Sequence, residues 1–345
     1  MTYCLFVIGC QQNKYDASRL AAFLNSQGFS EVDEKFADIV FVLACSVRQT
    51  AVDKMFGKIH NWRKAGKKVF VTACILDNDK QKLEKLNVSY FVDFNDLYTL
   101  LVYCKTNNVY KVHSGTMYVP IMSGCDNFCS YCVVPYTRGR EKSRSYDDVI
   151  LDIKQLIKSG HKEFVLLGQN VNSYAVSEKR KAKSEKQMKD FVVLLGMINN
   201  IPGDFVFSFM SNHPKDMSDD IIHAIARLPK VKKEIHLPLQ SGSDRILKLM
   251  NRPYTTRQYF RLIEKCKSKI ENLSVTTDII VGFPGETDED FQQTVDIVKK
   301  VGFGQIFINK YSPRPSTASY KLGDPIPWSL KQKRWHILNE IANLN

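Results

Sequence analysis

Apolar and polar positions over the first ninety or so residues alternate between two periods. Short apolar runs at Tyr3–Ile8, Asp38–Ala44, Lys68–Ala73 and Val88–Val92 have the length of strands. Between them, Ala17–Ser26 and Val52–Lys64 repeat apolar residues at helical spacing. Strand and helix alternating at this interval predict a parallel sheet with crossover helices. The pattern restarts near Met117, with strands expected at Met117–Met122, Glu163–Leu167, Asp204–Met210, Lys233–Leu237, Ser274–Val281 and Gln305–Lys310. Helical periods fall at Asp147–Lys158, Asp190–Asn199, Asp219–Arg227, Thr256–Lys269, Asp288–Lys300 and Leu330–Leu344. Thr287 and Asp290 form a capping arrangement ahead of one of them. The fold class expected is therefore α/β: a parallel-sheet domain over residues 1–112, then a partial (β/α)6 barrel over 113–345. No heptad array, short repeat or low-complexity tract interrupts this pattern.

In such folds ligands gather at the carboxyl ends of the strands. The unusual segments fall there. Cys10, Cys45 and Cys74 each follow one of the first three strands, about one βα repeat apart. They are either small buried residues at strand ends or three soft ligands brought together by the sheet. In the second series, the loop after the first strand carries Cys125, Cys129 and Cys132, a C-x3-C-x2-C run without a fourth cysteine close behind. A cubane 4Fe-4S cluster takes one thiolate per iron, so three ligands leave one iron open. The alternatives are a zinc knuckle, which needs a fourth Cys or His, or an ordinary ferredoxin loop. His113, the nearest histidine, lies upstream and outside the usual spacing.

Tyr131 sits between two of these cysteines, either packing the loop or covering a planar group. Gly168 and Gly282 permit close backbone approach after their strands. Gln169, Asn170 and Gln240 both donate and accept hydrogen bonds, and Ser241 follows in the same loop. Asp278, polar in an apolar strand, is expected to face the barrel interior with a partner or ligand. His213 reads as a structural loop histidine, and Cys4, Cys104 and Cys266 as packing residues.

The chain has 345 residues, enough for two domains at about 150 residues each. Its 44% hydrophobic and 25% charged residues are ordinary for a globular protein. No apolar stretch has the length of a membrane span, so no membrane partner is expected. The N-terminus lacks the features of a secretory or transit leader, which favours a cytoplasmic location. There, nine cysteines indicate metal binding or catalysis over disulfides. A net charge of +13 points to a polyanionic partner, RNA by default. The basic stretch Glu178–Lys186 reads as a solvated loop.

Cys125–Cys132 with the following Val133-Val134-Pro135-Tyr136-Thr137-Arg138-Gly139-Arg140-Glu141 resembles the radical S-adenosylmethionine (SAM) methylthiotransferases, specifically the MiaB-type tRNA enzymes. Gly9–Asn13, Ala44–Arg48 and Thr72–Cys74 are similar to the family's N-terminal cysteine motifs. Leu167–Tyr174, His236–Ser243, Asp278–Thr287 and Tyr311–Pro315 extend the resemblance over almost the whole chain. It implies that Cys125, Cys129 and Cys132 hold a 4Fe-4S cluster whose open iron binds SAM. Cys10, Cys45 and Cys74 would hold a second cluster that handles the inserted sulfur. The candidate cofactor contacts are Tyr131, Gly168, Gln169, Asn170, Gln240, Ser241, Asp278 and Gly282. The implied substrate is N6-isopentenyladenosine at position 37 of the tRNA anticodon loop. It would be methylthiolated at C2 with a methyl group from a second SAM, and an electron donor such as flavodoxin or ferredoxin would serve the clusters.

Sibling activities on a ribosomal-protein aspartate or on threonylcarbamoyladenosine in tRNA are the neighbouring alternatives. A non-catalytic iron–sulfur RNA-binding protein is the alternative of another class. The Val133–Arg140 stretch and the basic charge favour tRNA. Family members continue into a small β-barrel RNA-binding domain (TRAM); this chain ends at Asn345, so that domain is expected to be absent.

Overall fold

In β3 (Ile39–Ala44) all six residues are buried, because a central parallel strand is covered on both faces. It pairs with β1 (Thr2–Val7) on one side and β4 (Lys68–Ala73) on the other. Short β2 (Ser30–Glu31) and β5 (Ser89–Tyr90) complete a parallel sheet of order β2-β1-β3-β4-β5. Val40, Val42 and Ala44 pack with Val52, Met55, Ile59 and Trp62 of helix Gln49–Lys64. The alternate residues Ile39, Phe41 and Leu43 pack with Ala17, Leu20 and Leu24 of helix Gln11–Ser26. The computed structural model describes residues 2–90, 117–176 and 185–343. The end of the strand expected at Val88–Val92, the expected boundary at 112/113, Cys104, His113 and most of the basic stretch Glu178–Lys186 lie outside the described residues.

The chain divides into two compact units. Besides Met1–Gly115, the first contains the short segments Cys132–Gly139 and Arg314–Thr317. Each segment brings an arginine to a buried carboxylate of this unit. Arg138 lies 3.6 Å from Asp16, and Arg314 lies 3.7 Å from Asp79 and hydrogen-bonds Gln49.

The second unit is a partial barrel of six parallel strands. β6 (Met117–Pro120), β9 (Glu163–Leu167) and β10 (Val206–Phe209) pair in the order β10-β9-β6. β11 (Glu234–His236), β12 (Ser274–Val281) and β13 (Gln305–Lys310) pair in sequence. A single parallel bridge, Phe207 to Val231, continues the sheet from β10 towards β11. Two short antiparallel strands, β7 (Met122–Ser123) and β8 (Lys142–Ser143), close the base of the cysteine loop.

Helix Asp288–Val301 begins in the expected capping box, with Thr287 and Asp290 each accepting from the other's backbone N–H. It is pressed against the loop after β11: a Cβ on Gly242 would lie 2.3 Å from Thr294 Cα. The last helix runs Trp328–Asn343. Among the described residues no helix is long and apolar enough to cross a membrane.

Candidate functional site

β1, β3 and β4 are neighbours in the first sheet, so Cys10, Cys45 and Cys74 emerge side by side from its carboxyl edge. Their approach is tight. Gly9 has φ +113°, and a Cβ there would fall 2.7 Å from Cys45 Cβ and 2.9 Å from its Sγ. Ala73 takes a left-handed φ of 75°, a strained conformation for a residue with a side chain, immediately before Cys74. Fully buried Asn13 ties the loops together, its Nδ2 donating to Ile8 O (2.6 Å) and Ala44 O (2.8 Å). Ser46 Oγ donates to Cys74 O at 2.8 Å.

Cys10 is exposed, whereas Cys45 and Cys74 are buried. Burial pushes the Cys45 thiol up to about 11, and the nearby Cys74 and Cys10 add to the shift. Burial also raises Cys74, against the opposing pull of Arg138. Arg138 Nε donates to Cys74 Sγ at 3.1 Å, and its Nη2 donates to Asn13 Oδ1 at 3.0 Å. Burial works against the Arg138 charge, but Cys74, Asp16 and Cys10 outweigh it and hold the guanidinium firmly protonated. Arg138 belongs to the stretch expected to favour RNA. Its side chain is only 13% exposed, so that expectation passes to Arg140, at 65%.

The second cysteine set starts in the loop above β7. Ser130 anchors it, with N donating to Met250 O (3.0 Å) and Oγ to Leu249 O (2.8 Å). Asn251 Nδ2 donates to Phe128 O (3.0 Å), and Phe128 itself takes a left-handed φ of 47°. Burial raises the Cys125 thiol, opposed by a backbone hydrogen bond at Asn127 and aided by Cys129. Buried Arg252 points Nη1 at Cys129 Sγ (3.5 Å), while its Nη2 donates to Pro238 O (2.8 Å) and its Nε to Tyr254 Oη (2.8 Å). Tyr131 packs against the core of Ile246, Met250, Phe283 and Tyr311, which favours the packing reading of its ring.

Among the described residues no three Cys, His, Asp or Glu side chains close on a point as a single ion would require. A cubane spreads its thiolates wider, one per corner iron. The residues present suit it: soft donors in threes, Cys45 within the electrostatic reach of Cys10 and Cys74, and Cys125 within that of Cys129. A largely buried guanidinium stands beside each set to offset thiolate charge.

The remaining predicted residues lie at or beyond the carboxyl ends of the barrel strands. Asn170 is buried, its Nδ2 donating to Asp216 Oδ2 at 2.8 Å and its Oδ1 without a partner. Gln169 Oε1 and Asn212 Oδ1 are likewise buried and unpartnered. Three orphaned acceptors after neighbouring strands β9 and β10 are costly unless a ligand donates to them. Gln240 has φ +72° and is stitched into the barrel by backbone bonds with Asp278 and Ile280. Ser241 is fully buried, and its Oγ accepts from the Ser243 amide, so in this fold it serves the turn.

At Gly168 and Gly282 the room expected for a ligand is filled from within the protein. A Cβ would meet Met122 Cγ at 2.4 Å at Gly168 and Lys331 Cγ at 2.4 Å at Gly282. Asp278 lies on the half-exposed face of β12, and its partner is His236: Oδ2 to Nε2 is 2.9 Å. His236 Nδ1 also meets Thr276 Oγ1 at 2.9 Å. His213 caps a turn, its Nδ1 accepting from Lys215 N at 3.2 Å, as a structural loop histidine would.

A parallel partial barrel with three thiols in the loop after its first strand is the architecture of a radical SAM protein. The Radical SAM superfamily pattern matches residues 119–298, and that of "Uncharacterized protein family UPF0004" matches residues 2–93. The tRNA-2-methylthio-N(6)-dimethylallyladenosine synthase of Carboxydothermus hydrogenoformans is 38% identical over 373 residues, covering 99% of this chain and 83% of the relative. Its counterpart from Finegoldia magna is 35% identical, covering 99% and 79%. Among solved structures, the radical SAM methyltransferase TsrM from Kitasatospora setae, with cobalamin and a [4Fe-4S] cluster bound, superposes with TM-score 0.66. At 12% identity over 92% of this chain and 77% of that one, it shares the fold alone. The chain belongs to the MiaB-type tRNA methylthiotransferases of the radical SAM superfamily.

Proposed function

We propose that this protein converts N6-isopentenyladenosine at position 37 of tRNA to its 2-methylthio derivative in the cytoplasm. One observation carries the reading: two separate sets of three thiols, each set beyond the carboxyl ends of parallel strands and each with a largely buried guanidinium at a thiol. Cys125, Cys129 and Cys132 would hold a 4Fe-4S cluster, which would supply one-electron reductive cleavage of SAM, and Cys10, Cys45 and Cys74 would hold a second cluster, which would supply sulfur.

The chain's own residues prepare this chemistry. Arg252 holds a positive charge at Cys129 in a site shielded from water. The acceptors of Gln169, Asn170 and Asn212 suit amino or hydroxyl donors on SAM or the target nucleoside. His236, fixed by Asp278 and Thr276, presents an oriented polar edge on the half-exposed face. The C2–H of adenine has no acidic proton to remove, which suits a radical route. A single-stranded anticodon loop lets the base turn out at low cost. Flavodoxin or ferredoxin is the class of electron donor proposed.

Nucleoside mass spectrometry of tRNA from cells lacking the gene tests the reading. The 2-methylthio nucleoside should vanish, N6-isopentenyladenosine should accumulate, and complementation should reverse both. An undiminished product in the deletion overturns the substrate assignment.

A further inference from the structure

The spacing of the cysteines in sequence does not explain the placement of Arg138 in the first unit. Cys74, its thiol partner, is 64 positions away, a separation no local motif spans. Three groups share its fork. Nε donates to Cys74 Sγ at 3.1 Å, Nη2 donates to Asn13 Oδ1 at 3.0 Å, and Nη2 lies 3.6 Å from Asp16 Oδ2. Asp16 is held in turn by Gln12 Nε2 at 3.0 Å. Only a planar, multiply donating cation meets thiol, amide and carboxylate together; the point charge of a lysine would not. Arg48 also acts electrostatically on this set, at Cys45, but it is exposed and screened by solvent. Arg138 is nearly buried, where a charge acts at low dielectric.

We propose that Arg138 is the positioning residue of the N-terminal thiol set, fixing Cys74 and raising the reduction potential of the cluster held there. A donated hydrogen bond and a fixed positive charge at a ligand sulfur favour the state with one more electron. Asp16 and Asn13 orient the guanidinium so that the Nε–H faces sulfur. The proposal rests on the reading that Cys10, Cys45 and Cys74 carry a cluster, and its test separates the two.

The full chain with C125A, C129A and C132A retains only the N-terminal set. Iron and sulfide content after anaerobic reconstitution reports first: no cluster in this background overturns the underlying reading and the proposal with it. With a cluster present, a redox titration followed by electron paramagnetic resonance compares Arg138 with Arg138→Met and Arg138→Lys. The methionine variant should lie at lower potential, with about a tenfold smaller reduced fraction at a fixed poise, ~59 mV for one electron. The lysine variant, which keeps the charge and loses the fork, should fall between. Should the methionine variant take up no iron, the lysine variant decides alone by lying below the parent. A midpoint equal to the parent's in a loaded variant overturns the proposal, because a purely structural arginine would leave the potential unmoved.

Discussion

Gly9 shows how closely the thiol loops are fitted. Its φ of +113° strains any residue with a side chain, and the Cβ of an alanine would sit 2.7 Å from Cys45 Cβ. Gly9→Ala should cost about 1–3 kcal/mol and lower the iron bound by the N-terminal set. Chemical denaturation of the apoprotein and iron assays measure these two effects, and an unchanged midpoint with full iron would refute the fit. The six cysteines were legible as residues because ligand spacing and strand ends are local signals. Arg138 and Arg252 were not legible as thiol partners. Their sulfur contacts span 64 and 123 positions, a separation that no periodicity reports. The glycines at 168 and 282 were legible as points of close approach, but sequence could not say that Met122 and Lys331 do the approaching.

Elements with strong periodicity, such as β12 and helices Asp219–Arg227 and Thr256–Lys269, fall where their apolar patterns place them. Helix Gln11–Ser26 starts six residues before its expected Ala17, because its first turns are polar and carry no apolar repeat. Helix Asp77–Lys85 went unmarked for the same reason: only Asp79 and Leu83 are buried. The capping box at Thr287 was legible, yet Asp290 does more than cap. It also accepts from Ser243 Oγ at 2.6 Å and pairs with Arg245, so it joins this helix to the loop after β11. Burial alone would raise its carboxyl, but hydrogen bonds from Arg245, Ser243 and Thr287 hold it well below the usual range. A depressed native pKa means stability that is fully present above the unfolded value, about 3.9. That stability is lost as pH falls towards the native pKa. Asp290→Asn should therefore cost about 1.5–3 kcal/mol near neutrality and flatten the acid limb of the stability curve below about pH 5. Urea melts at pH 7 and pH 3 measure both. An equal loss at the two pH values would remove the carboxylate charge from the account.

For the molecule as a whole, the +13 charge gives tRNA a sequence-independent attraction. Binding of unmodified tRNA should weaken steeply with salt, log K falling by about 0.7 per phosphate contact in a single-stranded region for each decade of salt. Filter binding across a salt series measures the slope, and a flat response would mean that the basic surface plays no part.

The segments Cys132–Gly139 and Arg314–Thr317 belong to the first unit although the chain reaches them only after long excursions. A fragment cut to residues 2–93, the span matched by its family pattern, would lack both. Asp16 and Asp79, 7% and 4% exposed, would lose their arginine partners, leaving Asp16 with the neutral amide of Gln12 and Asp79 with the more exposed Lys82. The cysteine-bearing N-terminal region is thus not a portable cassette. Its two buried carboxylates find their arginines only in chain that lies beyond it.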